Sequence, residues 1–363
     1  MRIEGTATKP GSLSKGSLLV RMGFIGVVVG GTAILLAWAG GWLTPHALTP
    51  ARFVDEFQAL NGEHPGFRRN HAKGVCVSGY FESNGRGEAL SKAVVFRAGR
   101  VPIVGRFSLG GGMPEQADEA HTVRGLGIQF ALPNGEKWRT AMINLPVFPV
   151  RTPEEFYELL VATAPDAGTG KPDAAKVGAF FGKYAEAAKA HEVIMGQAPS
   201  SGFENTTFNS LNAFRFENAS GARAWVRWSL KPSAEPGAAT AGGNEGKNFL
   251  FDGLIQAMHR GPLQWHLMLT VAKPGDPTDD ATQPWPADRD MIDAGTVTFD
   301  QIESDDTSAT RDMNFDPLIL PDGMAASDDP LLSARSAVYS QSFTRREGET
   351  KNPSAVTPAE TEK

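Results

Sequence analysis

The sequence predicts an α+β fold preceded by one N-terminal membrane helix. Three observations carry this. Short runs of β-branched and aromatic residues, separated by glycines and polar turns, fill residues 73–148. Helical periodicity follows them and returns near the C-terminus. The stretch from Met22 to Trp42 carries no charge, and a helix of that length spans about 30 Å, the thickness of a bilayer core.

Residues 1–21 hold Arg2, Lys9, Lys15 and Arg21 against a single acid, Glu4. The positive-inside rule therefore puts residues 1–21 in the cytoplasm and the body across the membrane. Residues 22–43 read as a transmembrane anchor or signal. A cleaved signal peptide is the rival, with Ala37-Trp38-Ala39 as a cleavage site. The apolar stretch is long for a signal core, so an uncleaved anchor is expected. That implies a single-pass inner-membrane protein with its body in the periplasm. Residues 44–52 read as a linker, 53–346 as the body, and 347–363 as a polar tail expected to be disordered.

Within the body, strand character covers Gly74–Phe81, Ala93–Phe96, Val101–Ser108, Gly125–Phe130 and Ala141–Asn144. Thr152-Pro153-Glu154-Glu155 is a capping box with proline at the first helical position, and Phe156, Leu159 and Leu160 supply the apolar face. A second helix is expected over about 173–194. Strands return at 210–216, 222–230 and 264–273, with a Gly/Ala/Pro-rich mobile loop over 233–247. Asp329-Pro330 starts the last helix, and Leu332, Arg335 and Tyr339 share one face of it.

Composition excludes several classes. The 363 residues are 41% hydrophobic and 9% aromatic, enough for a substantial core. The net charge is −6 and the body has no long basic run, which removes support for nucleic-acid binding. Cys76 is the only cysteine, so no intramolecular disulfide, thiolate zinc site or iron–sulfur cluster can form. Its apolar surroundings suit a small buried residue.

Several segments, taken in order, resemble the catalase superfamily. They are Arg68-Arg69-Asn70-His71-Ala72-Lys73-Gly74 with Gly79-Tyr80-Phe81, Val101 to Ser108, Ala117-Asp118, Val123 to Phe130, and Asn144 to Arg151 with Phe156. Residues 209–230, Phe315-Asp316-Pro317 to Pro321, and the Arg335-x-x-x-Tyr339 pair continue the match. The resemblance covers roughly residues 50–346. It implies a haem-binding antiparallel β-barrel with helices around it. The small catalase-related peroxidases are the most similar subgroup.

The resemblance implies roles residue by residue. His71 would be the distal acid–base, with Ser108 hydrogen-bonded to it. Tyr339 would be the proximal iron ligand, and Arg335, one helical turn away, would favour its anionic form. Arg68, Arg106 and Arg346 match arginines that hold haem propionates. Phe148 and Phe156 match aromatics beside the haem and over the distal pocket. The cofactor would be haem b, since no Cys-x-x-Cys-His exists for covalent attachment. Peroxide and a small organic electron donor would be the reactants. A homodimer is left open.

Two departures matter. Where the family has a catalytic asparagine, this chain has Ile143, followed by Asn144 as the candidate to replace it. Where the family has a substrate-channel aspartate, it has Thr122. A pocket with less polar guidance should favour peroxidase turnover, with weak catalase activity. Two alternatives share the fold: a hydroperoxide-rearranging enzyme that needs no reductant, and an exported haem carrier without turnover. The latter has no need of His71.

Overall fold

The computed structural model describes residues 15–39, 48–166, 168–234 and 246–358. The chain forms two compact units, Met1–Thr49 and Pro50–Lys363.

In the first unit, α1 (Lys15–Ala39) contains an apolar span, Gly16–Ala37, of mean hydropathy 2.0. It is long and apolar enough to cross a membrane, a test that an N-terminal signal sequence also passes. The helix starts seven residues before Met22 and includes Lys15 and Arg21. Charge marked the edge of the apolar span, whereas Lys and Arg are good helix formers and let the helix extend past it.

The second unit opens with α2 (Pro50–Asn61), so the expected linker gives way to helix at Pro50. Proline is tolerated in a first helical turn, and Phe53, Val54 and Phe57 are buried along one face. Then come β1 (Gly74–Ser83), β2 (Gly99–Leu109), β3 (Arg124–Ala131) and β4 (Lys137–Ile143). Three helices follow: α3 (Pro153–Ala162), α4 (Ala174–Lys183) and α5 (Ala185–Met195). The single helix expected over 173–194 is thus two, broken at Tyr184, whose backbone is extended. The capping box at α3 forms: Thr152 Oγ1 accepts from Glu155 N–H at 3.2 Å.

Next come β5 (Phe208–Asn209), β6 (Phe214–Glu217), β7 (Arg223–Pro232), α6 (Phe249–Arg260), β8 (Leu263–Val271), β9 (Met291–Glu303), β10 (Met324–Ala326) and α7 (Pro330–Glu347). Most of the loop expected over 233–247 lies outside the described residues. Periodicity did not separate α6 and β9 from their surroundings.

Eight antiparallel strands close into a barrel in the order β1-β2-β3-β4-β5-β7-β8-β9, with β9 pairing back to β1. β6 and β10 extend from β7. Closure leaves the eight strands without a free edge. The interior is aromatic. Phe130 and Trp138, cross-strand partners, stack with ring centroids 4.5 Å apart, and Phe107 contacts Phe203, Phe208, Trp265 and Phe299.

The tail is not disordered where it is described. Residues 348–358 pack back on the body: Val356 is buried, Asn352 O accepts from Arg311, and Ser304 Oγ donates to Val356 O. Its polar composition suggested solvation, but its backbone finds hydrogen-bond partners in segments distant in sequence.

Candidate active site

Strand alternation builds the site. On β2, Ile103, Phe107 and Leu109 enter the barrel core, so Arg106 and Ser108 face the other way. On β3 and β4, Gly125, Gly127, Ala141 and Ile143 share that outward face. Between this face and α2, α3 and α7 lies a cavity of about 320 Å³. α7 contributes Arg335, Val338, Tyr339, Ser342, Phe343 and Arg346, the i, i+3, i+4 stripe of one helical face. Asp329 caps its start, accepting from Leu331 N–H at 2.9 Å, with Pro330 at the first helical position.

His71 lies in the turn before β1 with φ 60°, a left-handed conformation that costs a non-glycine residue about 1–2 kcal/mol. Neighbours define it closely. Asn70 Oδ1 accepts from His71 N–H at 3.0 Å and from Gly111 N–H at 2.8 Å. The His71 and Ala72 carbonyls accept from Arg106 Nη1 and Nη2, each at 2.9 Å. Ser108 Oγ lies 3.1 Å from His71 Nδ1. Gly125 makes room for the ring: a Cβ there would sit 2.9 Å from His71 Nδ1 and from Ser108 Oγ. Burial, then Arg106, Arg68 and Arg335, push the imidazole down to about 4, so it is neutral at neutral pH.

Arg68, Arg106 and Arg346 all line the cavity. Arg106 is bound by Asp305 through Nε at 2.9 Å and Nη2 at 2.7 Å, which holds its charge against burial. Arg68 donates to Met313 O at 2.9 Å, and Arg346 to Arg311 O at 2.7 Å. Burial, then the neighbouring guanidiniums, lowers Arg68 well below its ordinary value. Burial, then Arg106, lowers Arg346 to about 10. The nearest other acid, Asp312, is 3.9 Å from Arg346, half-exposed and shared with Lys351. Three guanidiniums thus face one buried carboxylate, Asp305, and the excess positive charge suits an anionic ligand.

Arg335 Nη1 donates to Asn212 Oδ1 at 2.6 Å and Nη2 to Ala141 O at 2.9 Å, with Nη2 3.5 Å from the Tyr339 hydroxyl. Asn212 in turn donates to Asp329 at 2.7 Å. Phe148 and Phe156 also line the cavity, their ring centroids 5.4 Å apart.

The cavity therefore gathers His71, Ser108, Arg68, Arg106, Phe148, Phe156, Arg335, Tyr339 and Arg346. Asn144, the candidate to replace the family's asparagine, lies apart from this group. Its Oδ1 accepts from Arg124 N–H at 2.9 Å and it is not a lining residue. Because β4 alternates, Ile143 takes the cavity-facing position and Asn144 turns away. Thr122 lies in a turn beside the lining residue Val123. Sequence reasoning missed Asp305, Asn212 and the α2 residues Phe53, Val54 and Phe57. Asp305 sits in an acidic run that reads as a solvated loop. Only the apolar spacing of α2 could have been read in advance.

Comparison with known proteins agrees with this architecture. The family model described as Catalase matches residues 39–356. The chain is 38% identical over 307 residues to the catalase-related peroxidase of Synechococcus elongatus, covering 82% of this chain and 89% of the relative. It is 31% identical to the catalase-related peroxidase of Mycolicibacterium paratuberculosis, covering 83% and 96%. A crystal structure of a fungal catalase superposes with a TM-score of 0.70 at 21% identity, covering 82% of this chain and 62% of that one, a likeness of fold.

Proposed function

Since the chain belongs to the catalase family, we propose that it is a haem-dependent peroxidase. It reduces hydrogen peroxide or an organic hydroperoxide at the expense of a small organic electron donor. One observation carries this reading above the others: the guanidiniums of Arg68, Arg106 and Arg346, His71 and the Arg335/Tyr339 pair line one cavity. The donor set fits haem b. The excess charge of Arg68, Arg106 and Arg346 suits a dicarboxylate. Tyr339, beside Arg335, would supply an oxygen donor to ferric iron. Phe148 and Phe156 offer apolar surface to a macrocycle.

When bound, the haem supplies the two-electron reduction of the O–O bond. The chain's own residues manage the proton. With Nδ1 engaged by Ser108, Nε2 is left to take the proton of the attacking peroxide oxygen and return it to the leaving oxygen, which departs as water or an alcohol. Neutral His71 is ready for the first step. Ile143 and Thr122, where the family pattern has an asparagine and an aspartate, favour peroxidase turnover over dioxygen release.

α1 serves in this reading as an uncleaved anchor in the inner membrane, with the body in the periplasm.

The test is an absorption spectrum of the full-length chain in detergent, supplied with haem, before and after peroxide, for wild type and Tyr339→Phe. A Soret band altered in the variant and changed by peroxide supports the reading. Haem binding with no response to peroxide favours the carrier alternative, for which Ile143 is the structural reason. Absence of haem binding overturns it.

A further inference from the structure

The Arg106–Asp305 pair does more than balance a buried charge. β9 pairs with β1 at Cys76↔Glu303, and β1 pairs with β2 at Cys76↔Arg106. The chain leaving β9 therefore delivers Asp305, two residues on, over the position where Arg106 projects. Both side chains are only 3% exposed. Asp305 Oδ1 accepts from Arg106 Nε and from Cys76 Sγ, the latter at 3.0 Å, while Oδ2 accepts from Arg106 Nη2. This fork orients the guanidinium so that its other N–H groups meet the His71 and Ala72 carbonyls. Gly74 lets the guanidinium lie against the start of β1: a Cβ there would collide with Arg106 Cζ. The two carbonyls so gripped are that of His71, which with Leu211 is one of two cavity-lining non-glycine residues at a left-handed backbone angle among the described residues, and that of the residue after it.

We propose that Asp305 is a positioning residue: through Arg106 it clamps the His71 peptide in its strained conformation and so aims the imidazole into the cavity. This rests on the reading of His71 as the proton-transfer group. It also gives Arg106 a different duty from Arg68 and Arg346. Four of its N–H bonds go to Asp305 and the two carbonyls, so its principal contacts are with the protein. Burial alone would raise the Asp305 carboxyl, but Arg106 outweighs it and the group is held below its ordinary range.

A double-mutant cycle tests this on full-length, haem-saturated protein. The peroxide-dependent rate of Soret change is measured for wild type, Asp305→Asn, His71→Ala and the double variant. Asp305→Asn keeps the shape and removes the charge. It is expected to slow the reaction about 10–100-fold, the scale of a small misplacement of a reacting group, and to have no further effect once His71 is gone. A merely structural role would instead slow the His71→Ala protein by the same factor, and that result overturns the proposal. So does an effect confined to haem affinity, with saturated protein reacting at the wild-type rate. Arg106→Lys, which keeps the charge but lacks the planar fork, carries the same cycle if Asp305→Asn does not fold. A wild type inert to peroxide would instead count against the proposed function, a separate outcome.

Discussion

Arg335 and Tyr339 lie one turn apart on α7, with Nη2 3.5 Å from the phenol oxygen. The same guanidinium is anchored to the barrel at Ala141 O and to Asn212. A helix pair is thereby locked to a sheet, so the phenol's position depends on contacts that α7 alone does not make.

Arg335→Lys should therefore disturb the tyrosine without removing it. Lysine presents a point charge and cannot bond Asn212 and Ala141 while facing Tyr339. We expect haem to bind, with a shifted Soret band and peroxide turnover reduced about tenfold or more. Tyr339→Phe should weaken haem retention more than Arg335→Lys does, as read by haem transfer to apomyoglobin.

The pH profile follows from His71. Its folded value is depressed to about 4, so the base form persists through weakly acidic conditions. The acid limb of the peroxide reaction should fall well below the ordinary histidine value of about 6.5. The same group affects stability. Neutral burial of His71 is fully accommodated above about 6.5 and becomes destabilising as pH falls toward 4, because the unfolded chain binds the proton more readily. Stopped-flow rates and thermal melts across pH 4–7 check both. An acid limb centred near 6.5 would contradict the depressed value.

Ile143→Asn places an amide on the cavity wall where β4 now presents a branched alkyl group. It should raise dioxygen release from hydrogen peroxide relative to oxidation of an organic donor. An oxygen electrode run beside a donor-oxidation assay measures the ratio. An unchanged ratio would show that Ile143 does not limit that half-reaction.

The tail makes a fourth test. Glu349 pairs with Arg69 and accepts from Gly66 N–H at 2.8 Å, tying the C-terminal segment to the chain just before Arg68 and His71. The Arg69 contacts, followed by the Gly66 N–H among lesser causes, lower the Glu349 carboxyl, so this stability is present above its unfolded value and is lost as pH falls through the folded one. Glu349→Gln should cost about 1–2 kcal/mol, given the partial exposure of the pair. A melting temperature equal to wild type at neutral pH would show the strap to be loose.

Much of the site was legible because it is local. The capping box at Thr152, the cap at Asp329 and the spacing that puts Tyr339 one turn and Arg346 three turns beyond Arg335 on one helical face are all encoded locally, as is strand alternation. That alternation even decides the fate of Asn144, once the register of Ile143 against Gly125 is known. The break at Tyr184 was not legible, since the apolar face continues across it.

What the sequence determined by itself was the run of strands from β1 to β4, helices α3 and α7, the apolar span near the N-terminus, and the residue types that the family pattern assigns to the site. What only the tertiary structure decided was which groups hold those residues in place. Asp305 is 199 positions from Arg106, and Asn212 is 123 from Arg335. Barrel closure brings each pair together. Periodicity and capping are properties of neighbouring residues, whereas the partner of a buried charge is chosen by whichever distant strand or loop arrives beside it.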